Sequence, residues 1–248
     1  MIFVKSEKEI DLMREPCRIV KETLAFVGSK IKAGMTTKEV DELVDRYIRS
    51  EGAYPSCLGY EGYPAAACIS VNDVVVHGIP DDETVLRDGD IVSVDLCAYK
   101  NGYHGDGCRT FCIGEVSPEV KQLVRVTEEC FFKGIEGLRA GTPLYDIGYR
   151  VQRHAESFGY GVIRAYTGHG IGREMHEDPS VPNYGRQGTG VRLKAGIVLC
   201  VEPMIAMGDY HLRILPDGWG AVTKDGKPAA HYENTLVIRE DGVEILTL

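Results

Sequence analysis

No apolar stretch in this 248-residue sequence approaches the roughly 20 residues that a membrane span needs. The opening run, Met-Ile-Phe-Val-Lys-Ser-Glu-Lys-Glu, turns polar at once and has no secretory h-region, so a cytoplasmic protein is expected. Basic runs are missing too, and a net charge of −9 argues against a nucleic-acid surface. The eight cysteines, at 17, 57, 68, 97, 108, 112, 130 and 200, include no Cys-x-x-Cys pair. Without an export signal they read as free thiols in a reducing compartment, and a chain this long can bury enough core without disulfide staples. No linker or low-complexity segment interrupts it. What remains, 44 % apolar and 26 % charged, fits an ordinary soluble globular protein. The expectation is a single domain over residues 1–248, monomeric by default, with no membrane or nucleic-acid partner.

The domain reads as two related halves, about 1–113 and 114–248, because segments recur at an offset of 107 residues. Ile31-Lys-Ala-Gly34 returns as Leu138-Arg-Ala-Gly141, and Leu86-Arg-Asp-Gly-Asp-Ile-Val-Ser-Val-Asp95 as Leu193-Lys-Ala-Gly-Ile-Val-Leu-Cys-Val-Glu202. Between them, Val40/Ile147, Val44/Val151 and Arg46/Arg153 keep the same spacing. Ser6-x-x-Glu9 and Thr36-x-x-Glu39 are capping-box signals for two helices. Ser117-Pro118 and Thr142-Pro143 open two more, each with Pro in the first turn, the last ending near Gly159. Strands are expected at about 66–77, 90–99, 103–113, 162–168, 197–206, 231–239 and 243–247. Helix pairs alternating with antiparallel strands define an α+β fold with helices covering one sheet.

Six residues stand out: His77, Asp95, Asp106, His169, Glu202 and Glu233. The four acids lie in or beside apolar segments, where an unpaired charge is expensive. Asn101-Gly102 is the strongest hairpin signal in the chain. A two-residue turn there pairs residues whose numbers sum to 203, so Asp95 faces Cys108 and Cys97 faces Asp106. Asp95 and Asp106 then share a sheet face as diagonal neighbours, about 7–8 Å apart at Cα. A loop with an odd residue count would separate them. Taken alone, Asp106 reads equally well as a turn residue, since Gly105 and Gly107 flank it. Glu202 repeats the setting of Asp95, with Pro203 marking an edge or the end of its strand. Glu233 precedes another strand. Four carboxylates gathered in one space need cations, or they would repel and bind protons. Oxygen donors with one imidazole suit a pair of divalent ions such as Mn, Fe(II), Co or Zn.

His169 sits in Thr167-Gly-His-Gly-Ile-Gly172, where glycines allow close backbone approach, although a Gly-rich loop with a chance histidine reads nearly as well. His176 follows seven residues on, and His77 ends an apolar strand in Val74-Val-Val-His77-Gly-Ile-Pro80. His104, His154, His211 and His231 have no comparable context and read as surface or core residues.

The segments Val-His77-Gly-Ile-Pro, Val-Asp95, His-Gly-Asp106, Thr-Gly-His169-Gly-Ile-Gly, Met-His176-Glu, Val-Glu202-Pro-Met and Tyr-Glu233-Asn-Thr, in this order, closely resemble the methionine aminopeptidases, and the short bacterial type I form in particular. The resemblance spans essentially the whole chain. It implies the pseudo-two-fold pita-bread fold, an antiparallel curved sheet covered by two helix pairs, with two divalent metal ions between the halves. It assigns Asp95 to one metal, His169 and Glu202 to the other, and Asp106 and Glu233 as bridges. Glu202 would also move the proton of the attacking water, and His176 and His77 would contact the substrate. Cys57, Tyr60, Tyr63, Cys68, Met175 and Trp219 would line the pocket for the first side chain; a thioether suits such an apolar, polarizable lining. The substrate implied is the N-terminal peptide of nascent proteins with a small second residue, and the ribosome a transient partner. Glu61, Met175 and His231 depart from the family, which often carries histidine or another non-acidic residue, an aromatic and a glutamine there. Two other functions fit the same fold: an Xaa-Pro dipeptidase or aminopeptidase, and a non-catalytic peptide-binding module. The first usually carries an extra N-terminal domain, whereas helices here begin near Ser6. The second tends to lose ligands, and all five are present.

Overall fold

The computed structural model describes residues 1–248. Four helices form, α1 (Glu7–Gly28), α2 (Thr37–Ser50), α3 (Pro118–Ile135) and α4 (Tyr145–Ser157), the first three where their capping signals place them. Ser6 with Glu9 and Thr36 with Glu39 close complete capping boxes, and Ser117 caps α3 ahead of its N-terminal proline. The fourth helix starts two residues beyond Pro143. Leu193 N–H donates to Thr142 O and Pro143 bridges Arg192, which holds that segment extended. No helix is long and apolar enough to cross a membrane.

The main sheet has nine strands. Toward one side of it the strand Ile91–Lys100 turns through Asn101-Gly102 into Tyr103–Cys112. Both turn residues have positive φ, 57° and 82°, as a type I′ turn requires. The register is the one the two-residue turn dictates, with Asp95 opposite Cys108 and Cys97 opposite Asp106. The strand Glu233–Ile238 continues the sheet, pairing Glu233 with Cys108 on one side and Thr235 with Cys200 of the strand Val198–Val201 on the other. Beyond that lies Gly168–Gly170, with His169 opposite Cys200.

The 107-residue offset reappears as hydrogen bonds. Gly34 N–H donates to Leu86 O and Gly141 N–H to Leu193 O, both at 2.8 Å. The isolated bridges Thr36–Val85 and Pro143–Arg192 differ by the same 107. Each half packs its helices on the same sheet face. Val92, Val94, Leu96 and Ala98 meet α1 and α2 in one core; Leu199, Val201, Leu236 and Ile238 meet α3 and α4 in another. Side chains alternate along a strand, so Asp95, Cys97 and Cys200 turn to the opposite, concave face.

Gly105 and Gly107 belong to this packing and not to a turn. A Cβ on Gly105 would lie 2.6 Å from Cys17 N, and one on Gly107 would lie 3.0 Å from Val20 Cγ1. The helix α1 lies directly on this strand, and that leaves Asp106 as the inward-facing residue between them. Several expected strands are broken in two. Asn72, at φ 52°, separates Ala67–Val71 from Val74–Val76; Glu202-Pro203 separates Val198–Val201 from Met204–Ala206; Tyr232 separates Ala229–His231 from Glu233–Ile238. The shorter piece at each break joins a smaller three-stranded sheet.

Candidate metal centre

Five neighbouring strands each bring one donor to the concave face: Asp95, Asp106, Glu233, Glu202 just past Val201, and His169. Asp106 is fixed by its backbone, donating from N–H to Thr235 Oγ1 at 3.0 Å, while the Thr235 hydroxyl donates to Asp106 O at 2.8 Å. Asn183 Nδ2 donates to Glu202 O at 2.9 Å, pinning that carboxylate's backbone. His169 Nδ1 lies 2.9 Å from Gly170 O. A carbonyl can only accept, so Nδ1 carries the proton and Nε2 keeps its lone pair toward the acids. That Nε2 is 3.6 Å from Glu202 Oε1 and 3.9 Å from Asp106 Oδ2.

All four carboxylates lack a lysine or arginine partner; the only basic side chains within 4 Å of them are the imidazoles of His169 and His231. Burial pushes Asp95 up to about 7. Burial first, then repulsion from the neighbouring carboxylates, lifts Asp106, Glu202 and Glu233 well above the usual carboxylate range. Burial holds His169 neutral, its pKa pushed down to about 3. The buried Glu233 Oε1 has no hydrogen-bond partner at all. Such crowding of unpaired anions is unfavourable unless positive charge arrives from outside. With oxygen donors and a neutral imidazole, the residues present fit divalent metal.

Donor atoms of Asp106, His169, Glu233 and Cys200 lie within 4.8 Å of one another. Cys200 is nevertheless a poor ligand. It does not line the cavity, its Sγ rests 3.6 Å from Thr235 Oγ1, and burial raises its pKa far from thiolate. Asp95 and Glu202 line the cavity beside Asp106, His169 and Glu233.

The cavity above the acids measures about 380 Å³, within the range of small-ligand sites. It gathers every residue named from the sequence. Cys57, Tyr60, Tyr63, Cys68, Met175 and Trp219 form walls beside the donors, with His77 and His176 at the rim. His77 sits in the left-handed region at φ 57°, its ring edge-on to Tyr166 at 5.1 Å and to Trp219 at 6.2 Å. Burial pushes its pKa down to about 4. His176 Nδ1 is 2.8 Å from the Tyr60 hydroxyl, and its ring meets that of His169 edge-on at 4.3 Å. One edge of His176 is open to solvent while the packed side lowers its pKa; the Glu61 carboxylate nearby acts in the opposite sense.

The turn carrying Met175 and His176 hangs on the N-terminal strap. Glu177 Oε1 accepts from Arg173 N–H at 2.9 Å, and Glu177 Oε2 from Lys5 Nζ at 2.6 Å; both ion-pair side chains are about 95 % buried, at 5 % and 6 % exposure. Removing one partner of a buried pair strands the other charge, at a cost of roughly 3–5 kcal/mol. Lys5→Met is therefore expected to lower stability by about 3 kcal/mol in urea unfolding. A change below 1 kcal/mol would show that the pair does not anchor this turn.

Sequence reading missed His231, Tyr166, Thr167 and Val76 as cavity-lining residues. Thr167 and Tyr166 adjoin the Gly-His169-Gly segment, and Val76 precedes His77, so proximity to a candidate was the available signal. His231, read as surface or core, is 1 % exposed and faces Glu202. The other three are structural: His104 bonds Ser56, His154 pairs with Glu129, and His211 pairs with Asp209 at the surface.

A pseudo-two-fold α+β sheet with four acids and a histidine on its concave face defines a metal-dependent hydrolase of the pita-bread type. The chain belongs to metallopeptidase family M24, matched over residues 11–240, and within it to the methionine aminopeptidases. It is 51 % identical to a methionine aminopeptidase of Clostridium acetobutylicum, covering 100 % of this chain and 99 % of that protein. The crystal structure of methionine aminopeptidase from Rickettsia prowazekii superposes with a TM-score of 0.98 at 43 % identity, with both chains covered in full. A prolidase from Pyrococcus furiosus shares the fold at a TM-score of 0.80, but at 23 % identity and with 65 % of its length covered.

Proposed function

We propose that this chain removes methionine from the N-terminus of peptides and nascent proteins, with Asp95, Asp106, His169, Glu202 and Glu233 holding two divalent cations. The single observation that carries the reading is the four-acid, one-imidazole cluster at the base of a cavity walled by thiol, thioether and aromatic groups. When bound, the cations supply the positive charge that brings the pKa of water toward neutrality and polarises a carbonyl. The chain's own groups do the rest. Cys57, Cys68, Tyr63, Met175 and Trp219 offer the methionine side chain an apolar, polarizable recess. Glu202 accepts a proton from the attacking water and passes it to the leaving nitrogen. In this reading His176 donates a hydrogen bond to the carbonyl oxygen as charge develops there, and His77 contacts the substrate amide. A small second residue, cytoplasmic location, a monomeric state and transient contact with the ribosome belong to the same proposal. The eight free cysteines accord with a reducing compartment.

Peptide assays separate this from Xaa-Pro hydrolysis, for which only likeness of fold speaks. Met-Ala-Ser should release free methionine, and Ala-Pro peptides should stay intact; the reverse pattern would overturn the proposal. His176→Ala is expected to lower kcat by about 10²-fold with little change in KM and with metal still bound, the usual size of effect when one oxyanion donor is lost. Wild-type turnover in that variant would remove His176 from its assigned role.

A further inference from the structure

His231 is the one buried histidine whose two ring nitrogens both lack a hydrogen-bond partner. Its side chain is 2 % exposed and lines the same cavity as the acids. An unpaired buried polar group of this kind costs roughly 1–3 kcal/mol, so a second partner is needed to account for it. Its position is not an accident of loose packing. Its backbone N–H donates to Thr110 Oγ1 at 3.0 Å, and its carbonyl accepts from the Thr110 hydroxyl at 2.8 Å. It also pairs in register with Met204, one residue past Pro203.

The geometry around Glu202 is symmetrical. Oε1 faces His169 Nε2 at 3.6 Å, and Oε2 faces His231 Nε2 at 3.7 Å. Both gaps exceed hydrogen-bonding distance, and both suit two groups gripping a shared ion. We infer that His231 is a sixth protein ligand of the metal centre, joining His169 and Glu202 on the cation they hold. The inference rests on the five-donor reading above and adds one nitrogen to it. A second imidazole shifts the donor set from oxygen-rich toward mixed nitrogen and oxygen. Ions that accept imidazole readily, such as Co(II), Zn(II) and Fe(II), gain from this more than Mn(II), which prefers carboxylate and water.

The test uses the full chain, stripped with a chelator and titrated calorimetrically with Co(II) and with Mn(II), as wild type and as His231→Gln. Loss of even an outer-sphere partner weakens metal binding by about 10–100-fold. Co(II) affinity at the tighter site is therefore expected to fall at least tenfold in H231Q, and Mn(II) affinity by less. Proton NMR of the Co(II) form should show the shifted ring signals of two ligated histidines in wild type and of one in the variant. His231→Ala provides a second readout: millimolar imidazole should restore its Co(II) affinity by occupying the vacated position. Unchanged Co(II) affinity in H231Q, one ligated histidine in both proteins, or no response of H231A to imidazole would overturn the inference and leave the five-donor centre standing. If the wild type takes up neither ion, the five-donor reading itself falls.

Discussion

Glu202→Gln is expected to lower kcat on Met-Ala-Ser by roughly 10³-fold while the protein stays folded. General acid–base transfer is worth about 10²–10⁴-fold, and an amide cannot take up the proton. The backbone around Glu202 does not depend on its charge: Asn183 holds its carbonyl, and Pro203 ends its strand. Gln keeps the shape and removes one of four mutually repelling anions. Burial and the charges of Asp95 and Asp106 make that carboxylate unfavourable in the metal-free protein. The metal-free variant should therefore melt no lower than the metal-free wild type, and above pH 7 it should melt higher. Activity within tenfold of wild type would exclude Glu202 as the proton carrier. A large fall in melting temperature would instead mean that activity was lost through unfolding.

Chelation should abolish activity, with restoration on re-addition of Co(II), Mn(II), Fe(II) or Zn(II), and it should expose a decline in stability as pH rises above neutrality. Four carboxylates have folded pKa values raised above those of the unfolded chain. Below about pH 4 both states hold these protons, and no penalty exists. As pH rises past that point, the unfolded chain releases protons that the folded chain retains, so metal-free stability declines. The decline ends for each group once pH passes its folded value, about 7 for Asp95. His169 and His231, both pushed down to about 3, act in the other direction, and only below about pH 6.5. Between pH 7 and 9 the buried thiols add to the carboxylates, because burial keeps Cys17, Cys97, Cys108 and Cys200 protonated in the folded chain while unfolded thiols ionise at about pH 8.5. The metal-free melting temperature should drop there by roughly 3–5 °C per pH unit for each carboxyl still protonated. Bound metal takes the carboxylates as anions and removes this slope. At a hundredfold excess over Kd it also adds about 2.7 kcal/mol, roughly 5–10 °C for a chain of this size. A metal-free protein whose melting point falls no faster between pH 7 and 9 than that of the metal-bound protein would contradict the crowded-anion description.

Much of this was legible before any coordinates. Asn101-Gly102 admits one turn type, and that turn sets the register opposing Cys97 to Asp106. The capping boxes at Ser6 and Thr36 mark local hydrogen bonds that short sequence patterns encode fully. What stayed hidden depends on contacts between distant segments. The glycines beside Asp106 look like turn residues until α1 is laid across them. The fourth helix starts late because Arg192 and Leu193 hold its approach extended. His231 looks unremarkable beside alanines, and it becomes a cavity residue only once Ala229–His231 pairs with Met204–Ala206 and Thr110 fixes its backbone.

Arg109 adds a mechanical consequence. It straddles the joint between the lobes, its Nη1 donating to both Cys108 O and Glu233 O, and its Nη2 to Asn234 Oδ1. Asp95 and Asp106 arrive from one side of that joint and Glu202, His169 and Glu233 from the other. On the proposed five-donor reading neither lobe brings the whole set, so prying the joint apart should release the ions, and reloading them should require the lobes to meet again. Holding cargo and holding together are, for this molecule, a single act.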